Sequence, residues 1–237
     1  VPPNRLVIPR YYLVPHPKEL EADINYLGSE LINTTAQHRY IAGAYWTQDI
    51  SNTPQTWFDA SKLPEDGAFI VKGETNSKKF RWDTLLAPTK WDAIRLGSEL
   101  GQDTGLAGQR IMYRRYVPLK DYGVDPISGV PIAHEFRVFF LIVANKPVVL
   151  TYGYYWSTAE LEESPKLDPL GMRAATEAAW EIKDKAGRFF AIDVALTKEN
   201  TWIVIEVNDG CQAGLSECSG VEMYKNLAIG LAADYVH

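Results

Sequence analysis

Cysteine is scarce. Of 237 residues only Cys211 and Cys218 are cysteines, too few for a disulfide framework, and no second pair or His-x-x-x-His partner completes a zinc site. Both read as reduced thiols. Positive charge is also in deficit, 24 Lys and Arg against 30 Asp and Glu, so a net charge of −6 gives no overall basic field for a nucleic-acid backbone. Nucleic acid is not the expected partner, although a local patch stays possible. Long apolar runs are missing: Val138 to Ala144 and Phe189 to Leu196 are far shorter than the roughly 20 residues of a bilayer-spanning helix, so no membrane partner is expected. Val1-Pro2-Pro3-Asn4 lacks the basic, then apolar, order of a secretory signal, and the chain as given starts without Met; a cytoplasmic location is the expectation. Repeats and low-complexity segments are absent as well. What is present is an ordinary globular balance, 46% hydrophobic and 23% charged, in a length that suits one large domain or two to three interlocked lobes.

The chain opens with a short strand over Arg5 to Ile8 and a helix from Pro17, whose Leu20, Ile24 and Leu27 recur at helical spacing before Gly28. From Thr47 to Glu65 the composition shifts to Asp, Ser, Asn, Thr and Pro, with Ser51-Asn52-Thr53-Pro54 a turn or linker and a boundary expected near 60 to 66. A strand at Ala68 to Lys72, a polar loop from Gly73 to Lys79, a helix over Lys90 to Leu100 and a strand at Ile111 to Val117 follow. The second half predicts strands at Glu135 to Val143, Pro147 to Tyr152, Phe189 to Leu196 and Thr201 to Val207. They pair as two antiparallel hairpins, separated by a helix over Leu170 to Ala186 that stops at Gly187. A helix from Val221 to Tyr235 closes the chain.

Three stretches carry oxygen or nitrogen groups on otherwise apolar strands. In Ile205-Glu206-Val207-Asn208, alternation puts Glu206 and Asn208 on one face, and hairpin pairing can bring Asp193 opposite them. Two carboxylates and an amide oxygen are hard donors of the kind Mg²⁺ takes beside nucleotide phosphates. The competing explanation is strand-end residues turned to water. Lys72 ends an apolar strand before a polar loop, which suits either phosphate binding or a solvated surface turn. Glu135 and Arg137 share a strand face, where they could serve a ribose and a phosphoryl group or simply pair with each other.

In this order, Ile-Val-Lys strand, hinge strand, Glu-containing strand, then the Ile192-Asp193 and Glu206-Val207-Asn208-Asp209-Gly210 hairpin, the chain resembles the ATP-grasp carboxylate–amine ligases over residues about 65 to 216. The pairing of Lys72 with Arg137 resembles a compact branch of that superfamily found in phages and bacteria. The resemblance implies an α+β ATP-grasp fold with ATP between a small and a larger antiparallel sheet. It divides the chain into a reduced N-terminal region (1–64), a small subdomain (65–118) and a large subdomain with the metal site (119–237). It implies ATP and Mg²⁺ as cofactors, with Asp193, Glu206 and Asn208 as metal ligands. Lys72, Lys79, Tyr113, Arg115, Tyr116, Val117, Glu135 and Arg137 fall at nucleotide positions, with Lys72 and Arg137 as the catalytic cations. Asp209, Gly210, Gly214 and Ser216 would face the second substrate.

The implied reaction joins a small-molecule or peptide carboxylate to an amine through an acyl phosphate, releasing ADP and phosphate. Departures from the family's pattern are Ala191 where many members have Arg, whose charge Arg137 would replace, a glycine-poor loop after Gly73, and a hinge without an acidic residue. Two alternatives stay open: an ATP-binding module without turnover, and a covalent nucleotidyltransferase or RNA ligase adenylated on Lys72. The latter would need later Glu-Gly-Val-x-Lys and Lys-x-Lys segments, which the chain lacks.

Overall fold

The computed structural model describes residues 3–9, 17–74, 82–103, 109–156, 161 and 163–234. Strand β1 (Leu6–Val7), helix α1 (Pro17–Tyr26) and strand β2 (Glu30–Leu31) form a small parallel β–α–β opening. Gly28, at φ +68°, turns the chain out of α1, a conformation that a residue lacking Cβ adopts at no steric cost. Helix α2 (Thr35–Ala42) follows, unforeseen by hydrophobic spacing, and is held by a capping box in which the Thr34 side chain accepts from Gln37 N and the Gln37 side chain accepts from Thr34 N.

The first four-stranded sheet comprises β3 (Thr56–Trp57), β4 (Phe69–Gly73), β5 (Leu86–Ala87) and, after helix α3 (Lys90–Gly101), β6 (Ile111–Arg115), in the order β3-β6-β4-β5. It thus takes in Thr56–Trp57, upstream of residue 65. Helix α3 begins on the Thr89 side-chain cap and buries Ala93 and Leu96 against Phe69, Val71 and Tyr113. The connecting ribbon β7 (Asp121–Val124) and β8 (Pro131–Ala133) leads to the second sheet.

That sheet has the order β10-β9-β11-β12, from β9 (Glu135–Val143), β10 (Lys146–Tyr154), β11 (Phe189–Leu196) and β12 (Trp202–Asp209), antiparallel throughout. Helix α4 (Pro169–Ile182), capped by Asp168, lays Ala174, Ala175, Ala178 and Ala179 on one face, in a core with Phe136, Val138, Phe140, Phe190 and Ile192. The helix ends four residues before the expected Ala186, and the chain turns through Lys183 to Gly187. Helix α5 (Gly220–Asp234) covers the other face through Met223 and Leu227, which pack with Phe139, Leu141 and Phe189. Glu135, Arg137 and Asp193 alternate with the α4-facing residues and so lie on the α5 side, beyond the reach of α5. Cys211 and Cys218 are buried and unbridged. Among the described residues no helix is long and apolar enough to cross a membrane.

Candidate active site

Strand alternation sorts the small sheet. The β4–β6 register pairs Ile70 with Arg114 and Lys72 with Met112, so these side chains share the face turned to the large sheet. Tyr113 and Arg115 alternate to the opposite face. The Tyr113 ring packs beneath α3, where a Cβ on Gly97 would come within 2.0 Å of its hydroxyl. Arg115 borders the first cavity described below, but its guanidinium is spent elsewhere: Nη1 donates to the Asp66 carbonyl at 2.6 Å and the group lies over the Phe69 ring. Gly67 leaves room for it: at φ +92°, a Cβ there would sit 1.6 Å from Arg115 Nη1. Tyr113 and Arg115 were expected as part of a hinge strand that offers backbone groups to a nucleotide; period-two alternation turns the Tyr113 ring away from the cleft, and Arg115, which borders the cavity, has its guanidinium held by the Asp66 carbonyl. Arg114, which sequence reasoning left out of the site residues, is the one that faces the cleft; its place one residue from Tyr113 and Arg115 in an alternating strand was the available signal.

Between the sheets a first cavity is lined by Ile70, Lys72, Tyr116, Val117, Glu135 and Glu206, among others. The chain leaves the small sheet at Tyr116, whose N–H donates to the Ala68 carbonyl at 2.9 Å. The Val117 N–H and the Tyr116 carbonyl take no backbone partner among the described residues, which leaves hydrogen-bonding edges at the cavity wall. Glu135 is 4% exposed and Lys72 Nζ donates to Glu206 Oε1 at 2.9 Å, a bridge from one sheet to the other.

Below this floor lies a second charged layer. Asp193 is fully buried and stands opposite Arg137 in the β11–β9 register. Arg137 donates to it in fork geometry, Nε to Oδ1 at 2.8 Å and Nη2 to Oδ2 at 2.6 Å, and its Nη1 donates to the Gly214 carbonyl at 2.8 Å. Burial works against the charged guanidinium, but the adjoining Asp193 carboxylate outweighs it and holds Arg137 above its ordinary pKa. The partner of Arg137 is thus Asp193, where sequence reasoning had weighed Glu135. Asn208 Nδ2 donates to Asp193 Oδ2 at 3.2 Å, and neither Asp193 nor Arg137 lines the two cavities described here.

A second cavity adjoins the first, and Lys72, Arg114 and Glu206 line both. Its further wall includes His38, Trp46, Asn208 and Asp209. Asp209 accepts from Asn33 Nδ2 at 3.0 Å and from Cys211 N at 2.9 Å, and its other oxygen meets His38 Nδ1 at 3.1 Å. Of the residues expected to face the second substrate, Asp209 lines this cavity. Gly210, Gly214 and Ser216 line neither. Gly210 is there for packing, since a Cβ would come within 2.6 Å of the Phe189 ring. Gly214 offers its carbonyl to Arg137, and Ser216 sits at a turn with φ +54°. Lys79 and most of the loop after Gly73 lie outside the described residues.

Among the described residues no group of three or more His, Cys, Asp or Glu side chains could hold a metal. Glu206 and Asn208 supply a carboxylate and an amide oxygen at the cavity, and the Asn208 amide spends its nitrogen on Asp193, so its oxygen has no protein partner among the described residues. Two hard oxygen donors at the cavity fit an ion that fills its other positions with water and phosphate oxygens.

A family model described as the ATP-grasp domain, R(2)K clade family 3, matches residues 54–227. No curated protein matches the sequence at a significant level. Among solved structures, a RimK domain ATP-grasp protein from Sphaerobacter thermophilus is similar at TM-score 0.54 and 12% identity, over 97% of this chain and 78% of that one. The D-alanine-D-alanine ligase of Helicobacter pylori is similar at TM-score 0.56 and 11% identity, over 90% of this chain and 66% of that one. The L-amino acid ligase of Bacillus licheniformis is similar at TM-score 0.51 and 16% identity, over 86% of this chain and 48% of that one. The chain spans half the length of an Aspergillus clavatus N5-carboxyaminoimidazole synthase that it also resembles.

Proposed function

The chain belongs to family 3 of the R(2)K clade of ATP-grasp domains, and from that membership we propose that it is an ATP- and Mg²⁺-dependent carboxylate–amine ligase that releases ADP and phosphate. The observation that carries this reading is the Lys72–Glu206 bridge, where the two sheets meet and the two cavities join. The first cavity suits the nucleotide: the Tyr116–Val117 backbone edge for adenine, Glu135 for the ribose, Lys72 for the phosphates, with Lys79 expected to assist. Glu206 and Asn208 would hold Mg²⁺, which supplies charge neutralisation to the transferring phosphoryl group. Asp193 and Arg137 act from beneath: Asp193 keeps the Asn208 amide turned with its oxygen to the cavity, and Arg137 balances the buried carboxylate. This assignment moves Arg137 from a direct phosphoryl contact to a positioning residue, because it lines neither cavity and its fork is spent on Asp193.

In the reaction a carboxylate oxygen attacks the γ-phosphorus, the bond to the β,γ-bridging oxygen breaks, and ADP leaves with the electron pair. The amine then attacks the acyl carbon, the C–N bond forms, inorganic phosphate leaves with the electron pair of the C–O bond, and the amine proton passes to solvent. Positioning and charge balance do most of the work in such phosphoryl transfer. The test is incubation with Mg²⁺-ATP and a panel of amino acids and peptides. Substrate-dependent ADP and phosphate are expected. AMP with pyrophosphate, or a nucleotide covalently attached to Lys72, would transfer the chain to the nucleotidyltransferases, and ATP binding without any product would make it a non-catalytic module.

A further inference from the structure

Among the described residues Arg114 is a cation without an anion. It is 8% exposed, and its partners are neutral: Nε donates to Thr56 Oγ1 at 3.2 Å, Nη1 to the Ile205 carbonyl, and Nη2 only weakly to the Met112 sulfur at 3.8 Å. The guanidinium lies over the Trp46 ring, 5.1 Å from its centroid. Burial pulls its pKa down to about 10, offset in part by Glu206 through space. Buried guanidinium groups are ordinarily paired. With five N–H groups and three in use, one remains on each terminal nitrogen, enough for both oxygens of a single carboxylate.

We propose that Arg114 and the second cavity bind the carboxylate that this enzyme activates, and that this substrate is a small monocarboxylic acid with a compact apolar flank. The inference rests on the ligase reading and adds the substrate class to it. Three observations carry it. Arg114 lines both cavities, so an acid on its fork lies at the junction where Lys72 marks the phosphate side. The wall of the second cavity holds Glu74, Glu206 and Asp209, which disfavour a phosphate dianion more than a single carboxylate. Beside His38 and Gln212, the wall carries Ile41, Ala42, Ala44 and Trp46, an apolar flank supplied by α2 and the turn after it. Those N-terminal residues lie outside the matched domain of residues 54–227, so the acid would be selected by a part of the chain that the shared family region does not contain.

The probe is acetate, the simplest carboxylate, with chloride at equal ionic strength as control, read as the unfolding temperature; a ligand that binds only the folded state raises it by mass action. Acetate is expected to stabilise the wild type in a saturable way, with the effect retained when Mg²⁺-ADP is already saturating. Arg114→Met should weaken the acetate response at least tenfold, and Arg114→Lys, which keeps charge but not the fork, several-fold. If Arg114→Met does not fold, Arg114→Lys carries the comparison. Equal acetate stabilisation in wild type and variant, or none in the wild type, overturns the proposal. So does loss of the acetate effect on adding ADP, or an Arg114-dependent effect of inorganic phosphate alone, because either outcome assigns Arg114 to nucleotide phosphates. Failure of Mg²⁺-ADP to stabilise the wild type while acetate still does would sink the ATP reading and leave the anion site standing.

Discussion

At the scale of single residues the layers of charge make separable predictions. Glu206→Gln and Asn208→Ala should each abolish ATP turnover while the fold persists, and should weaken nucleotide binding in Mg²⁺ far more than in its absence. Asp193→Asn acts through Asn208, and loss of such an outer partner costs on the order of 10- to 100-fold in activity. It also strands a buried guanidinium, which destabilises by roughly 3–5 kcal/mol. If Asp193→Asn loses Mg²⁺ as completely as Glu206→Gln, Asp193 is a direct ligand and the layered arrangement is wrong. His134 makes a pH prediction. Its ring packs against Tyr122, Phe136 and Trp202 and bonds the Tyr122 hydroxyl through Nδ1, and burial first, then Lys120, pushes its pKa down, with Asp168 opposing. A lowered folded pKa means that the native state resists protonation, so this contribution is present above the ordinary histidine value of about 6.5 and is lost as pH falls below it. Urea unfolding from pH 7 to pH 5 should show a steeper loss for wild type than for His134→Phe; parallel curves would remove His134 from the account. Lys72, Glu206 and Asn208 were legible in the sequence because strand alternation places them, whereas the bidentate Arg137–Asp193 pair depends on the β9–β11 register, which local pattern does not contain.

At the scale of elements, legibility tracked length. Strands β9 and β11 have the expected bounds, since each is a mostly apolar stretch of nine or eight residues. Strands β3 and β5, at two residues each, are too short for any period to register, and they exist because β4 and β6 offer free edges. Helix α2 escaped notice for a different reason: its apolar face is small, and its signal was the Thr34–Gln37 capping box, which spacing does not reveal. Helix α4 was visible, but the purpose of its alanines was not. Ala174, Ala175, Ala178 and Ala179 are at most 5% exposed, and Gly171 sits where a Cβ would come within 2.7 Å of the Trp202 ring. Small residues let the helix approach the sheet closely, so Ala178→Leu should overpack the interface and destabilise by about 1–3 kcal/mol. Denaturant titration checks this, and an unchanged midpoint would mean that the interface has slack that the geometry does not show.

At the scale of the whole molecule the N-terminal segment raises a question about what folds. The matched domain begins at residue 54, yet Ile32, Ile41, Trp46 and Ile50 are each at most 5% exposed and belong to the two cores of the large sheet. Burying side chains of this size contributes roughly 1.5–3 kcal/mol each. Four of them together approach the total of about 5–15 kcal/mol by which a domain is stable. Polar ties reinforce the apolar ones. Asn33 accepts from Arg188 N and Phe189 N at 2.9 and 3.0 Å and donates to the Phe189 carbonyl and to Asp209, clamping β11 and the end of β12 together. On the small-sheet side, Arg110 donates to the Gly43 carbonyl at 2.7 Å and lies over the Tyr45 and Phe58 rings. A chain begun at Pro54 would therefore expose Phe189, Phe190 and their neighbours and lose the wall of the second cavity. It should be recovered as an aggregate, or as a species that binds a hydrophobic dye and unfolds without a cooperative transition. Asn33→Ala in the full chain isolates the polar share: the buried N–H groups it leaves unpaired should cost about 1–3 kcal/mol in urea unfolding, with the slope of the transition unchanged. A soluble, cooperatively unfolding chain from residue 54 would show that the family domain stands alone and that its N-terminal neighbour is an addition, not part of its core.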